Sequence, residues 1–174
     1  NTVDGTPWMV IMAWEYYRYS GKRAFLKEIL PDIERTIAGA MRHTDEHFLL
    51  RHGSAETWMD AVGPDGPWSP RGNRAVDIQA LWYAQLRAAS SIARVAGDSR
   101  RAEGWDRYAD RVRESVLRLF VDPATPRIND HLNDDGSADD KLRPNILFPF
   151  TIPGSDIFAS LPDSTAPAAL DGLF

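Results

Sequence analysis

The run Glu56-Thr57-Trp58-Met59-Asp60-Ala61 sets a carboxylate among large apolar side chains, and a Gly/Pro-rich stretch through Trp68, Pro70, Arg71 and Gly72 follows directly. Burial of Asp60 against Trp58, Met59 and Trp68 would strip water from its charged form and raise its pKa, which a general acid working near neutral pH requires. Taken alone, the same residue also reads as an ordinary loop or capping carboxylate. Other constellations carry less. His43 and His47 stand at helical metal-ligand spacing, but no Glu follows the first His, so the pair reads as solvated rather than as zinc ligands. The acidic run 129–140 contains Asp-Asp-Gly without the ligand pattern of a calcium loop, and reads as a solvated turn. A phosphate-cradling Gly loop and a Gly-x-Ser-x-Gly elbow are both missing from the sequence. No metal and no cofactor is expected.

Composition narrows the partners. The 174 residues are 43% hydrophobic and 26% charged, which is ordinary for a folded domain and excludes disorder. The longest apolar run is the seven residues 8–14, against the roughly 20 that a membrane-spanning helix needs. With 25 acidic and 20 basic residues the net charge is −5, so neither nucleic acid nor an anionic membrane surface is expected as a partner, and a neutral ligand fits better. Cysteine is absent, which rules out disulfides. Six Trp are more than packing alone needs in a chain of this size, so some are expected to face a ligand. The chain begins at Asn1 and stops at Phe174 within an apolar stretch, so it is expected to be a fragment of something larger.

The elements that must hold these residues are helical. Thr6-Pro7 opens a helix that Gly21 ends, and this helix is apolar around most of its circumference, predicting burial on two sides. Pro31-Asp32 opens a second helix to about Glu46, with Ile33, Ile37, Ala40, Met41 and Thr44 inward and charges outward. The alternation repeats. Residues 76–96 read as buried all round, and residues 99–120 carry one apolar face of Trp105, Tyr108, Val112, Val116 and Leu119. A fainter third pair is opened by Pro144 and capped by Asp163 or Ser164, the latter helix running to Phe174. Inner and outer helices in alternation describe an all-α chain forming part of an α/α toroid. If successive helices run antiparallel, the segments 1–6, 47–75 and 120–143 gather at one end, where function is expected.

Several runs, in order and spacing, resemble the amylo-α-1,6-glucosidase module of glycogen debranching enzymes: Thr57-Trp58-Met59-Asp60-Ala61, then Pro70-Arg71-Gly72, then 75–83, then Leu142-Arg143-Pro144-Asn145. The opening Thr2-Val3-Asp4-Gly5-Thr6-Pro7-Trp8 and the segment 16–26 resemble it as well. The resemblance covers the chain to about Pro153 and implies that residues 1–174 are about half of an (α/α)6 barrel, an incomplete glycoside hydrolase catalytic domain. It further implies a cytoplasmic enzyme, with a glucan or oligosaccharide as substrate and no cofactor. Its reaction would be hydrolysis of the α-1,6-linked glucose at limit-dextrin branch points, with inversion.

Inversion uses one carboxylic acid to protonate the leaving oxygen and a second carboxylate to activate water. By resemblance Asp60 is the acid, and the base lies beyond the matched region. Asp4 resembles the Asp with which related barrels hold the hydroxyls of the non-reducing glucose, although it also suits a helix N-terminus. Trp58 and Trp68 are candidates to stack on sugar rings, and Arg143 and Asn145 to reach the same pocket. Asp77 stands where a Glu is expected, one methylene shorter. Half a toroid would leave an apolar side on each inner helix, 6–20 and 76–96, so self-association through that surface is expected, with no glucosidase activity from these residues alone. Two other readings stay open: another glucosidase of the same architecture, such as a trehalase-like enzyme, or a carbohydrate-binding helical domain without turnover.

Overall fold

The structure, a computed structural model, describes residues 2–122, 124–125 and 127–162. The expected helix from 163 or 164 to 174 lies outside the described residues. Four long helices make up the body: α1 (Gly5–Ser20), α2 (Arg23–Met41), α3 (Val76–Ala96) and α4 (Ser99–Phe120). A 3-10 turn, Pro144–Leu147, runs directly into the single-turn helix α5 (Phe148–Thr151).

The bounds of α3 and α4 match the sequence periodicity, but α1 and α2 depart from it. Helix α1 starts at Gly5 behind Asp4, so Pro7 is its third residue, where a backbone N–H has no intrahelical partner in any case. Helix α2 starts at Arg23 and carries Pro31 in its interior. Leu26, Leu30, Ile33 and Ile37 form one unbroken inward stripe, and this burial outweighs the hydrogen bond that the proline removes. The same helix stops at Met41 instead of Glu46. Beyond it Asp45 Oδ1 accepts the N–H groups of His47 and Leu49 at 2.9 and 3.0 Å, and Phe48 adopts a φ of 66°, so the chain closes a turn that no helix could continue. His43 and His47 therefore do not share a helical face.

Helix α3 is the axis of the core. Sixteen of its 21 residues are buried, because α1, α2, α4, the 3-10 turn and α5 all pack on it. Ser90 Oγ donates to the Ala102 carbonyl at 3.1 Å, and Asp106 of α4 takes both Arg87 and Arg94 of α3. The apolar side expected to be left open on α3 is thus covered. Helix α1 does leave an apolar side open: only Pro7, Val10, Ile11 and Ala13 are buried, on one side and not the two that its apolar circumference predicts, while Met9, Met12, Tyr16 and Tyr19 are exposed.

Helical periodicity predicts no strands, yet the two long loops carry them. A small ladder pairs β1 (Val62–Gly63) with β2 (Gly66–Pro67), and a three-stranded sheet pairs β3 (Arg74–Ala75) with β4 (His131–Leu132) and β4 with β5 (Ala138–Asp139), all antiparallel. The acidic run 129–140 is therefore a hairpin with Asp130 buried at its base, not a fully solvated turn. These pairings gather the loops at one end of the bundle. Val3 N–H donates to the Glu56 carbonyl at 2.8 Å, His52 N–H to Asn73 at 3.0 Å, and Val76 N–H to Asp130 at 2.9 Å.

Candidate functional site

Where the loops meet the first turn of α3, a buried charge network forms around Arg71. Its approach is fixed by Gly72, which has a φ of 54°; a Cβ there would lie 2.3 Å from the Leu132 carbonyl oxygen, so only glycine lets the two loops close. The Arg71 side chain is fully buried. Its Nε donates to Asp130 Oδ2 at 2.7 Å and its Nη2 to Asp77 Oδ1 at 2.7 Å. Asp130 Oδ2 also accepts from Arg143 Nη1 and His131 Nδ1, both at 2.8 Å. Asp77 Oδ2 accepts from Trp58 Nε1 at 3.2 Å and Asn145 Nδ2 at 3.1 Å. Two guanidinium groups thus balance two carboxylates, the condition under which ions survive burial. Asp77 gains further from its place in the first turn of α3, where the helix dipole favours a negative charge.

The network locates most of the sequence candidates. Trp58 is anchored by its indole nitrogen on Asp77 and lies near-parallel to Phe148, ring centroids 6.1 Å apart, while 45% of it remains exposed. Its exposed face is a fixed apolar platform. Arg143 Nη1 donates to Asp130 and Asn145 Nδ2 to Asp77, which holds the loops, while Asn145 Oδ1 is buried without a hydrogen-bond partner among the described residues. Asp4 precedes α1, next to the Val3–Glu56 bond. Trp68 is 75% exposed, with its indole against Gly63, where a Cβ would come within 2.0 Å of Nε1.

Asp60 requires a correction. It is exposed, and among the described residues it has no hydrogen-bond or ion-pair partner. The apolar cage expected around it does not form, because the residues that would make it are engaged elsewhere: Trp58 on Asp77, Met59 Sδ 3.7 Å from Arg71 Nη1, and Trp68 swung out over Gly63. Sequence reasoning missed the network itself. The available signals were one Arg inside a Gly/Pro loop and one Asp inside the otherwise apolar opening of α3.

A cleft of about 1190 Å³ runs between the β4–β5 hairpin and the loop 51–73. Trp68 and Arg143 line it with Glu56, Asp139, Lys141 and three histidines, whereas Asp60, Trp58 and Asp4 do not. One of the histidines, His52, is a structural joint. Its Nε2 accepts the Ala75 N–H at 2.8 Å and its Nδ1 donates to the Gly53 carbonyl at 2.8 Å, which requires the neutral ring. Burial pushes its pKa down, against the raising effects of the Gly53 carbonyl and of Asp77 and Glu56, while Arg71 pushes it further down. Among the described residues no group of three or more His, Asp or Glu is placed to hold a metal ion, and no helix is long and apolar enough to cross a membrane.

A largely buried helix flanked by one-sided helices, with the joining loops locked together at one end, defines part of an α/α toroid of the glycosidase type. The chain belongs to the amylo-α-1,6-glucosidase family, whose model matches residues 1–164. In structure it is similar to a family GH78 rhamnosidase of Bacillus sp. GL1, at 21% sequence identity and a TM-score of 0.67. That likeness covers 80% of this chain and 14% of the rhamnosidase, so the chain spans only a small part of that protein's length. A search of curated proteins found no match.

Proposed function

We propose that this chain supplies the general-acid side of an inverting α-1,6-glucosidase site, acting on the single α-1,6-linked glucose left at branch points of a limit dextrin. Family membership over residues 1–164 carries this reading, because the matched region includes Asp60 within Thr57-Trp58-Met59-Asp60. The geometry around that residue is compatible. Thr57 is buried and its Oγ1 accepts the Met59 N–H at 3.2 Å, while Trp58 is pinned to Asp77, so Asp60 follows a segment whose position is set. A glucose ring seated on the open face of Trp58 would supply the apolar cover that Asp60 lacks in the free protein. Asp60 then protonates the leaving glycosidic oxygen, and a second carboxylate, for which no residue is assigned, activates water on the opposite face.

Asp60→Asn in the full-length enzyme tests this. The amide keeps the shape but donates no acid proton, and loss of general-acid help costs on the order of 10² to 10⁴ in rate. Because Asp60 is exposed and, among the described residues, unpaired, stability should change by no more than about 0.5 kcal/mol. Glucose release from limit dextrin is the readout, and wild-type turnover by the variant would reject the assignment.

A further inference from the structure

Trp58 and Met59 lead into Asp60, and each is held by one member of a buried ion pair. Asp77 Oδ2 accepts the Trp58 indole N–H at 3.2 Å, and Arg71 Nη1 lies 3.7 Å from Met59 Sδ. Arg71 Nη2 and Asp77 Oδ1 meet at 2.7 Å, with both side chains fully buried. The pair is itself anchored on both sides: Arg71 Nε donates to Asp130 at 2.7 Å, and Asp77 sits in the first turn of α3. Asp60 is exposed, and among the described residues no neighbour bonds to its carboxylate.

We propose that Arg71 and Asp77 are positioning residues for Asp60, acting through Trp58 and Met59. Full burial closes both of them to a ligand, so neither touches substrate. This inference rests on the reading of Asp60 as general acid and adds which groups aim it. Asp60 gives its proton to the glycosidic oxygen as the bond from that oxygen to C1 breaks, while water loses a proton to the second carboxylate and bonds to C1. Such a transfer needs heavy atoms within about 2.6 to 3.2 Å of each other, and a misplacement of about 1 Å can cost on the order of 10² in rate. With no bond to its own carboxylate, Asp60 takes its reach from the backbone of 57–60, which the pair fixes at two successive side chains.

The chemistry of residue 77 gives the inference its sharpest form. Asp77 faces three donors, Arg71, Trp58 and Asn145, and a carboxylate accepts from all of them. An amide in its place has one acceptor oxygen. The charged Arg71 holds that oxygen most strongly, which turns the NH2 group toward Trp58 and Asn145, donors both. Asp77→Asn therefore frees Trp58 with little change in size.

The test measures kcat of the full-length enzyme on limit dextrin and on α-glucosyl fluoride. A sugar oxygen needs a proton to leave and fluoride needs far less help, so a misaimed acid shows as a selective loss on the dextrin. In Asp77→Asn and in Trp58→Phe, which removes only the indole N–H from the network, kcat should fall at least about tenfold further on the dextrin than on the fluoride. Adding Asp77→Asn to Asp60→Asn should lower dextrin turnover no further, because a residue acting only through the acid then has nothing left to aim. Trp58→Phe leaves the ion pair whole and decides the matter should Asp77→Asn not fold. Equal losses on the two substrates in either folded variant, or additive losses in the double variant, would overturn the proposal and leave the pair a structural clamp. A selective loss in Asp60→Asn that neither of the others shares rejects the positioning role alone, whereas an Asp60→Asn enzyme with no selective loss rejects the general-acid reading and this proposal with it.

Discussion

Helices α1 and α3 are both apolar around most of their circumference, yet they meet opposite surroundings. Four of 16 residues are buried in α1 and 16 of 21 in α3. The difference lies in the neighbours. Helix α3 has packing partners around most of its circumference, including the 3-10 turn and α5, whereas α1 packs on α3 and α2 and turns Met9, Met12 and Tyr16 outward. Packing of the loops against α3 is also what lets it carry Asp77 and Gln79, since a polar group inside a dry core needs partners, and Arg71, Trp58 and Asn145 supply them to Asp77 and the Leu50 backbone to Gln79. An apolar circumference therefore says that a helix lacks a solvent face, and not that the chain at hand covers it.

The sharpest way to break the contrast is to remove the charge that ties α3 to the loops. Arg71→Met leaves Asp130 with Arg143 as its one guanidinium and Asp77 with none among the described residues, and breaking a buried pair from one side costs about 3 to 5 kcal/mol. Urea unfolding should show a loss of that size, together with loosening of the 51–73 loop in hydrogen exchange. A loss under about 1 kcal/mol would mean that water replaces the guanidinium freely, and that the network does not hold the loops.

The same contrast marks what was legible from the sequence. Helices α3 and α4 were readable to the residue because Gly97-Asp98 separates two strong periodic segments, and Asp98 caps the second by accepting the Arg101 N–H at 3.0 Å. The start of α2 was not, because Pro31 is a local stop signal and the stripe from Leu26 to Ile37 that overrides it is a tertiary effect. The strands escaped notice for a related reason. Each is two residues long, too short for any alternation, and β3 and β4 meet across more than fifty residues of chain. Thr57-Trp58-Met59-Asp60 could be singled out as a motif, but not the fact that Trp58 and Met59 turn toward Asp77 and Arg71, because those contacts depend on where Gly72 lets the loops cross.

A smaller effect separates the two helices through pH. His52 holds the loop to the start of α3 only as a neutral ring, and its folded pKa lies below the ordinary value of about 6.5. The unfolded chain thus binds the proton first as pH falls. The stability from His52 is fully present above about pH 6.5 and is lost as pH drops toward the depressed folded pKa, by at most about 1.4 kcal/mol per pH unit. His52→Gln, which cannot titrate, should flatten that part of the stability profile between pH 7 and 5. An unchanged slope would assign the acid sensitivity to other groups.

The smallest effect on stability is expected on α1, and it tests whether the open stripe has a use. Met9, Met12, Tyr16 and Tyr19 lie at spacings of three and four residues, so they form one continuous apolar row, and Met12 is 46% exposed. Contiguous exposed apolar surface of this kind marks a contact site, and we propose that copies of this chain associate through it. Met9→Lys with Met12→Lys would place two like charges along the row, leaving the buried side of Val10 and Ile11 untouched. Because both methionines already meet solvent, each change should move the unfolding free energy by about 0.5 kcal/mol or less. Sedimentation of these 174 residues should nevertheless shift from associated species toward monomer. Lysine at Leu81, fully buried in α3, would instead unfold the protein, because there the ammonium has no water to reach. If the double lysine variant associates as strongly as the wild type, the α1 row is ordinary exposed surface, and the difference between the two helices is one of packing alone.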